Sequence, residues 1–553
     1  MRQEQTPGAE NAHLPHSSKL AAWAAGAGVA LFSFVLYLRT LAPSVLYYDR
    51  PIAFDSAMLQ AEAAVLGIGH PTGYPTYMML THLFTRLPGV EPAYGANLAS
   101  AVYAALAVAV LFAVALRLSG RVVAAAAGSL AFAVSGTLWS QAVIPEVYAL
   151  NVLFVALTVF ALLIWRDTRR DRYLLLAAFL AGLSLTHHLT SGLLIPAGLF
   201  FVLATERRRL LDMRLLLQGI GLFLLGLLPL LYLPVRASMG APLDETHPTT
   251  LGRFLLLVTG WSYAIATPEE KARCAVSPLV SEGFGDRMQL FAGHLFGEFS
   301  VILMLVGAFG MLCLILADKP AAILLGTLFT GCLAHVLFYL ERGIEDFAVF
   351  LIPVYAVFGV CISIGIGFLQ YWTERLAANR PAFEKVLSVS LPILAFAIVL
   401  AGVPDEYEQR DRGRDTEGRR TIEAVVEETG PNSTVLHHRS PLWYMALVEE
   451  RRQDLRLVDP FCTSWTRFDD IRWPDPQGSS RYVTPDPTGV ETAREAARSG
   501  PVYILAREFE QQKVSFGGFR RAGFRVVPVG EDGLLYEIVP REETAADRRT
   551  PVS

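Results

Sequence analysis

The sequence predicts an α-helical polytopic membrane protein with about eleven transmembrane helices and a C-terminal extracytoplasmic α/β domain. Three observations lead there. Of the 553 residues, 53% are hydrophobic and only 18% are charged. The charges crowd into short intervals, and the apolar runs between them are about 17–25 residues long, enough to cross a hydrocarbon core as helices. From Pro404 onward charge rises, and short strand-like runs alternate with helical ones. Backbone that faces lipid must satisfy its own polar groups, so the apolar runs are read as helices.

The predicted spans are 20–38, 97–116, 122–140, 149–165, 173–186, 191–205, 215–233, 299–317, 321–339, 348–369 and 386–402. The first is longer than a secretory signal core, and the TLAPS after it is a poor cleavage match, so it is read as an uncleaved span. Lys and Arg mark cytoplasmic loops. Five loops qualify: Arg117–Arg121, Trp165–Arg172, Glu206–Arg214, Asp318–Pro320 and Thr373–Lys385. This places the amino terminus inside and everything after Val403 outside. The domain plan is a cytoplasmic tail (1–19), a transmembrane domain (20–403), an extracytoplasmic α/β domain (404–540) and a disordered tail (541–553). The Ala-, Leu- and Arg-rich composition suggests a bacterial plasma (inner) membrane.

In the C-terminal part, Ser433–His437, Val502–Ala506 and Leu534–Val539 read as strands, and Arg420–Glu428 and Thr492–Arg498 as helices. It carries no phosphate-cradling glycine loop or nucleophile motif, which favours a binding or scaffolding role. The net charge of −4 averages two unlike parts. Basic clusters sit at the ends of apolar runs and form no nucleic-acid patch. The five cysteines show no CxxC or zinc spacing. Cys313, Cys332 and Cys361 lie in apolar runs and read as buried, while Cys274 and Cys462 fall on the outer side, where they either pair or stay apart.

The segment Phe54–Pro75, FDSAMLQAEAAVLGIGHPTGYP, concentrates ionisable groups beside the first span, where they are costly to place. Asp55 opens a helical stretch and can cap it with its own carboxylate. Glu62, seven residues on, shares nearly the same face, as on an amphipathic helix lying at the membrane interface. Pro71, Gly73 and Pro75 then break the helix and can aim His70 and Tyr74 at a cavity. A solvated loop with surface charges is the alternative.

Other candidates fall on the same predicted face. Glu146 follows Pro145, where it can act in a site or merely complement a helix dipole. His187 and His188 can cap a helix, meet a phosphate or bind metal, though neighbouring histidines point in different directions. Arg236 ends a predicted span, where snorkelling is the alternative. Glu341, Arg342 and Asp346 precede the tenth span. A carboxylate here can take a proton from an acceptor hydroxyl, and cations can hold a departing phosphate.

At these residues the chain resembles a family of polytopic membrane proteins long filed as a domain of unknown function. That family lies within the GT-C superfamily of membrane glycosyltransferases, and its eukaryotic relatives include an endoplasmic-reticulum protein O-mannosyltransferase. The family pattern Asp-Ser-Gly-Glu, then Leu-Gly-x-x-His-Pro-Pro-Gly-Tyr-Pro, is met here by Asp55-Ser56-Ala57-Met58 and by Leu66 through Pro75. Agreement continues at Asn97–Ala101, Trp139–Asn151, His188–Thr190, Tyr232–Ala237 and Phe254–Tyr263, within residues 35–265.

The resemblance implies a GT-C-like fold and a lipid-linked sugar donor, a polyprenyl-phosphate sugar. It also implies inversion at the anomeric carbon, with Asp55 as general base. The partners would be that donor lipid and an extracytoplasmic acceptor hydroxyl on protein, glycan or lipid. Glu62, His70, Tyr74, Glu146, His188, Arg236 and Asp346 would bind substrate or donor; no residue is assigned to metal. One departure stands out: Ala57 and Met58 replace the family's Gly and Glu. Either Glu62 supplies the missing charge, or substrate handling has changed, or the chain is a non-catalytic relative. A lipid-linked-sugar flippase and a membrane scaffold are the rivals from other classes.

Overall fold

The computed structural model describes residues 16–47, 55–261, 284–339, 347–377, 381–461, 471–473, 481–483, 486, 488–510 and 514–541. Among them, eight helices are long and apolar enough to cross a membrane, or ten when each of two bent pairs counts as one span. Helices α1 (His16–Arg39), α2 (Ser56–Val65), α3 (Pro75–Thr85) and α4 (Pro92–Ser119) lead into a first bent pair, α5 (Val122–Ala133) and α6 (Gly136–Ala142). Helices α7 (Tyr148–Thr168) and α8 (Asp171–Leu185) follow. The remaining long candidates are Leu189–Leu211, Met213–Ser238, Lys319–Phe338, Ala348–Leu376 and Ser390–Arg410.

The fifth expected span, 173–186, is α8 and is not among these ten. Its 15 residues reach only about 22 Å at 1.5 Å per residue, and it lies packed between α7 and Met213–Gly226. Two other expected spans are not straight. The chain turns by 68° between α5 and α6, and by 106° between Gly285–Glu298 and Val301–Ala317. The two bends meet: the Glu298 carboxylate accepts from the Thr137 amide at 3.1 Å, satisfying the first turn of α6.

All five basic loops gather at one end of the bundle. Arg121 pairs with Glu374 at 2.5 Å, Arg117 with Asp167 at 3.3 Å, Arg209 with Asp171 at 3.2 Å, and Arg166 with Asp318. The interior is built on small residues, as expected where lipid gives helices no hydrophobic reason to associate. A Cβ on Gly310 would run into the Cys361 carbonyl, and one on Gly128 into that of Gly359. Cys313, Cys332 and Cys361 are buried thiols, as read from their surroundings; Cys274 and Cys462 lie outside the described residues.

The C-terminal domain packs against the opposite end. Its five-stranded sheet, built from β1 (Thr434–Leu436), β2 (Arg456–Val458), β5 (Val502–Leu505), β6 (Phe524–Val529) and β7 (Leu535–Pro540), has the order β2-β1-β5-β7-β6. Strand β1 runs parallel to both β2 and β5, with Val435 opposite Leu457 and Tyr503; β7 is antiparallel to β5 and β6. A separate hairpin joins β3 (Ile471–Trp473) to β4 (Arg481–Val483). The expected helices appear as Glu417–Glu428 and Val490–Ala496.

The two parts are joined by a continuous apolar seam. Val45, Met58 and Ala61 share one buried cluster with Trp443, Tyr444 and Leu505. Arg419 adds ion pairs to Glu91 and Glu449, each at 2.6 Å. Helix α2 is therefore covered, with Ser56 to Ala63 all buried, and does not lie amphipathically at an interface as expected. The face expected to meet water meets the C-terminal domain.

Replacing Gly310 with Val should prevent close approach of Val301–Ala317 to the central span, lowering the yield of monodisperse protein in detergent. The comparison is size-exclusion elution of the variant and wild type.

Candidate active site at the domain seam

Local backbone chemistry places the acidic cluster. Helix α2 is rich in Ala, Leu and Gln, good helix formers. It ends in a left-handed residue, Leu66 (φ 54°), and the Gly67 amide returns to the Glu62 carbonyl at 2.8 Å. The chain then pairs with a distant loop. The Ile68 amide donates to Leu243 at 2.8 Å, and the Glu245 amide donates to Ile68 at 3.0 Å. This brings Glu245 against Glu62. Gly69 leaves room for the Glu62 carboxyl, since a Cβ there would lie 2.8 Å from Glu62 Oε2 and the carboxyl would have to shift.

Asp55 stands at the start of α2 but makes no side-chain cap bond, so the capping expectation is not met. Its Oδ1 faces Arg439 Nη2 of the C-terminal domain at 2.8 Å, and its Oδ2 faces His70 Nε2 at 3.5 Å. Arg439 is 1% exposed and also holds Glu245 Oε2 at 2.7 Å through Nη1. Asp55 itself keeps 22% of its side-chain surface. The link is therefore one-sided: one oxygen is held in the seam while the side chain stays accessible.

The titrations separate accordingly. Burial pushes the Asp55 carboxyl up, but His70, Arg439 and His438 together outweigh burial and hold it below the ordinary value. Burial, then the neighbouring Glu245, drive Glu62 well above the ordinary carboxylate range. Burial also lowers His70. These directions leave Asp55 ionised and His70 neutral at neutral pH, and push Glu62 toward its protonated form. Met58 itself is buried in the seam cluster, where an apolar side chain fits.

The remaining candidates divide into two groups. Tyr74 joins the site: its hydroxyl lies 3.1 Å from His70 Nε2, and its ring stacks over His188 at 6.4 Å between centroids. Glu146 is buried and accepts from Ser56 Oγ at 3.4 Å, one residue from Asp55. His188 caps the short turn after it, accepting from the Thr190 amide through Nδ1 at 3.3 Å. That bond places its proton on Nε2. Tyr148 and Phe350 flank the same ring, at 5.7 and 5.9 Å.

Arg236 and His187 serve the backbone. Arg236 donates from Nε to Leu66 at 2.9 Å and from Nη2 to Val65 at 3.2 Å, capping the carbonyl end of α2. His187 Nε2 meets the Val147 carbonyl at 2.7 Å. Asp346, Glu341 and Arg342 lie outside the described residues.

Two site residues escape a reading of the sequence by motif: Glu245 and Arg439. Arg439 had one available signal, its place in HHRS directly after the strand run Ser433–His437. Ligand crevices form beyond the carboxyl ends of parallel strands.

Two outcomes follow from this geometry. Glu62→Gln replaces a carboxyl pushed toward its neutral form, so its thermal midpoint should correspond to less than about 1 kcal/mol of destabilisation; a collapse of the protein would show that the charge matters. Arg236→Ala should destabilise by about 1.5–3 kcal/mol through loss of charged donors to α2, read as a lower unfolding midpoint.

Comparisons with known proteins bear on the fold and on the amino-terminal part of the chain. Residues 55–211 match the family model described as Protein O-mannosyl-transferase TMEM260 N-terminal domain. Over 246 residues the chain is 33% identical to Protein O-mannosyl-transferase TMEM260 of Mus musculus, a match covering 42% of this chain and 34% of the mouse protein. The chain therefore spans about a third of that relative's length. In fold it is similar to ArnT from Cupriavidus metallidurans bound to undecaprenyl phosphate, with a TM-score of 0.59 at 14% identity over 95% of this chain and 98% of that one. It is also similar to the Archaeoglobus fulgidus oligosaccharyltransferase tethered to an acceptor peptide, with a TM-score of 0.51 at 10% identity over 94% of this chain and 74% of that one. The fold is thus GT-C-like over nearly the whole chain, and the sequence likeness to the O-mannosyl-transferase model lies where the acidic cluster and the His188 turn are encoded.

Proposed function

We propose that this chain is an integral-membrane glycosyltransferase that moves a sugar, mannose in the first instance, from a polyprenyl-phosphate carrier to an acceptor hydroxyl. The observation that carries the reading is Asp55, an accessible carboxylate held ionised by neighbouring cations and imidazoles at the end of a helical bundle. The likeness of residues 55–211 to an O-mannosyl-transferase domain supports the sugar. The fold shared with a protein solved with undecaprenyl phosphate supports the carrier.

In the proposed step Asp55 Oδ2 takes the acceptor's hydroxyl proton as that oxygen attacks the anomeric carbon. The bond from that carbon to the phosphate oxygen breaks on the opposite face, and the electron pair leaves with the polyprenyl phosphate. The configuration inverts. His188, with its proton on Nε2, would donate to that phosphate. His70, Tyr74 and Glu146 would shape the sugar and acceptor side, and Asp346 would close it from the later spans. Arg236 would act through helix α2, whose end it holds. The basic loops at the far end of the bundle support a cytoplasmic amino terminus, with site and C-terminal domain on the outer face of the plasma membrane.

General base catalysis is worth about 10²–10⁴-fold. Asp55→Asn should lower transfer from purified polyprenyl-phosphate mannose to an acceptor by that factor; it also leaves buried Arg439 with one carboxylate fewer, so a lower unfolding midpoint is expected and rates are compared per folded protein. Transfer at the wild-type rate would refute the assignment of the base.

A further inference from the structure

The C-terminal domain lacks a catalytic motif of its own, yet it sends a buried guanidinium across the seam to Asp55. We propose that Arg439 is a positioning residue for sugar transfer: it fixes Oδ1 of Asp55 and so presents Oδ2 to the acceptor, making the site a product of both domains. The inference rests on the proposed function above.

Three observations support it. The first is how Arg439 is held. It lies three residues beyond the end of β1, the strand with parallel neighbours on both sides. The chains leaving these three strands converge on the turn 437–440. Asp459, just after β2, accepts from the Arg439 amide at 3.0 Å and pairs with His438 Nδ1 at 3.0 Å. Glu508, just after β5, accepts from the His438 amide at 2.9 Å. Ser440 Oγ lies 2.8 Å from His437 Nδ1. These bonds keep Arg439 in a left-handed conformation (φ 43°) that L residues adopt at a cost. The carboxyl edge of the sheet, where open α/β sheets usually hold a ligand, here holds an arginine aimed outward.

The second observation is burial. A guanidinium 1% exposed has given up its hydration, and such pairs contribute little to stability compared with apolar packing of the same volume. The seam already has that packing in Met58, Ala61 and Trp443. Docking alone does not require a charge at this point.

The third is its two partners. Arg439 grips Asp55 from the segment after α1 and Glu245 from the loop after Met213–Ser238, so one rigid fork sets the spacing of two carboxylates from distant parts of the chain. The groups around Asp55 are His70 from the loop after α2, Glu62 on α2, and Arg439 and His438 from the C-terminal domain. Glu245 stands beyond Arg439, and Glu146 is reached through Ser56. Arg439 is the cation in ion-pair contact with the carboxylate.

The test uses the full-length purified chain with polyprenyl-phosphate mannose. Arg439→Gln should lower kcat by about 10²-fold, the scale of a misplaced reacting group, with KM for the donor lipid little changed. Without the cation the Asp55 carboxylate is harder to form, so the acid limb of the rate–pH profile should move to higher pH. Arg439→Lys restores a charge without the two-pronged fork. It should return the acid limb toward the wild type while recovering only part of kcat. A merely structural arginine would lower the amount of folded protein without moving the limb.

Wild-type kcat and pH profile in both variants would overturn the proposal, as would unfolding of both with no active fraction. Absence of transfer by the wild-type chain is a separate result and counts against the functional reading.

Discussion

A single buried cation organises the seam between the helical bundle and the C-terminal domain. Arg439 cannot be placed where it is unless three separate pieces of chain are in register: the start of α2, the loop carrying Glu245, and the turn after β1. Desolvating a guanidinium costs several kcal/mol unless anions of good geometry replace its water. The loops therefore have to arrive with their carboxylates already directed inward. The pairing of Ile68 with Leu243 and Glu245 does this for one partner. The C-capping of α2 by Arg236 supports the other.

The same constraint explains why α2 is covered. A helix bearing Asp55 and Glu62 beside a membrane would ordinarily turn those groups to water. Here the C-terminal domain replaces the water, and the two acids part company. The Asp55 carboxyl is held down beside a guanidinium and an imidazole, while burial and Glu245 push that of Glu62 up. Two carboxyl groups on one short helix thus acquire different chemical states from their surroundings alone. Two buried amides hold neighbouring loops with equal economy. Asn151 accepts from Ser191 at 2.7 Å, and Asn97 donates to Ala42 at 2.8 Å. Several positions shared with the resembling family are therefore spent on holding loops still.

The bends in the bundle belong to the same design. Breaks at Ser135 and Ser300, bridged by Glu298 to α6, keep the backbone satisfied while the chain turns. Irregular backbone at membrane depth is tolerated where protein or a cavity covers it.

Much of this was open to reading in the linear chain. Apolar length and charge spacing determined the helical spans, because hydrocarbon thickness and backbone satisfaction leave little else for runs of that kind. Charge asymmetry determined which loops share an end, and the His-Pro-x-Gly-Tyr-Pro string marked where chemistry concentrates. The expected strands and helices of the C-terminal domain were also close to those observed, since alternation and turn residues are local signals. Three things were settled only in three dimensions: the bends, the burial of α2, and the pairing of Asp55 with a residue 384 positions away by their numbers. The physical reason is common to all three. Local pattern reports what a segment can bury, whereas the partner that buries it, and hence the charge each acid carries, depends on long-range contacts that leave no periodic trace.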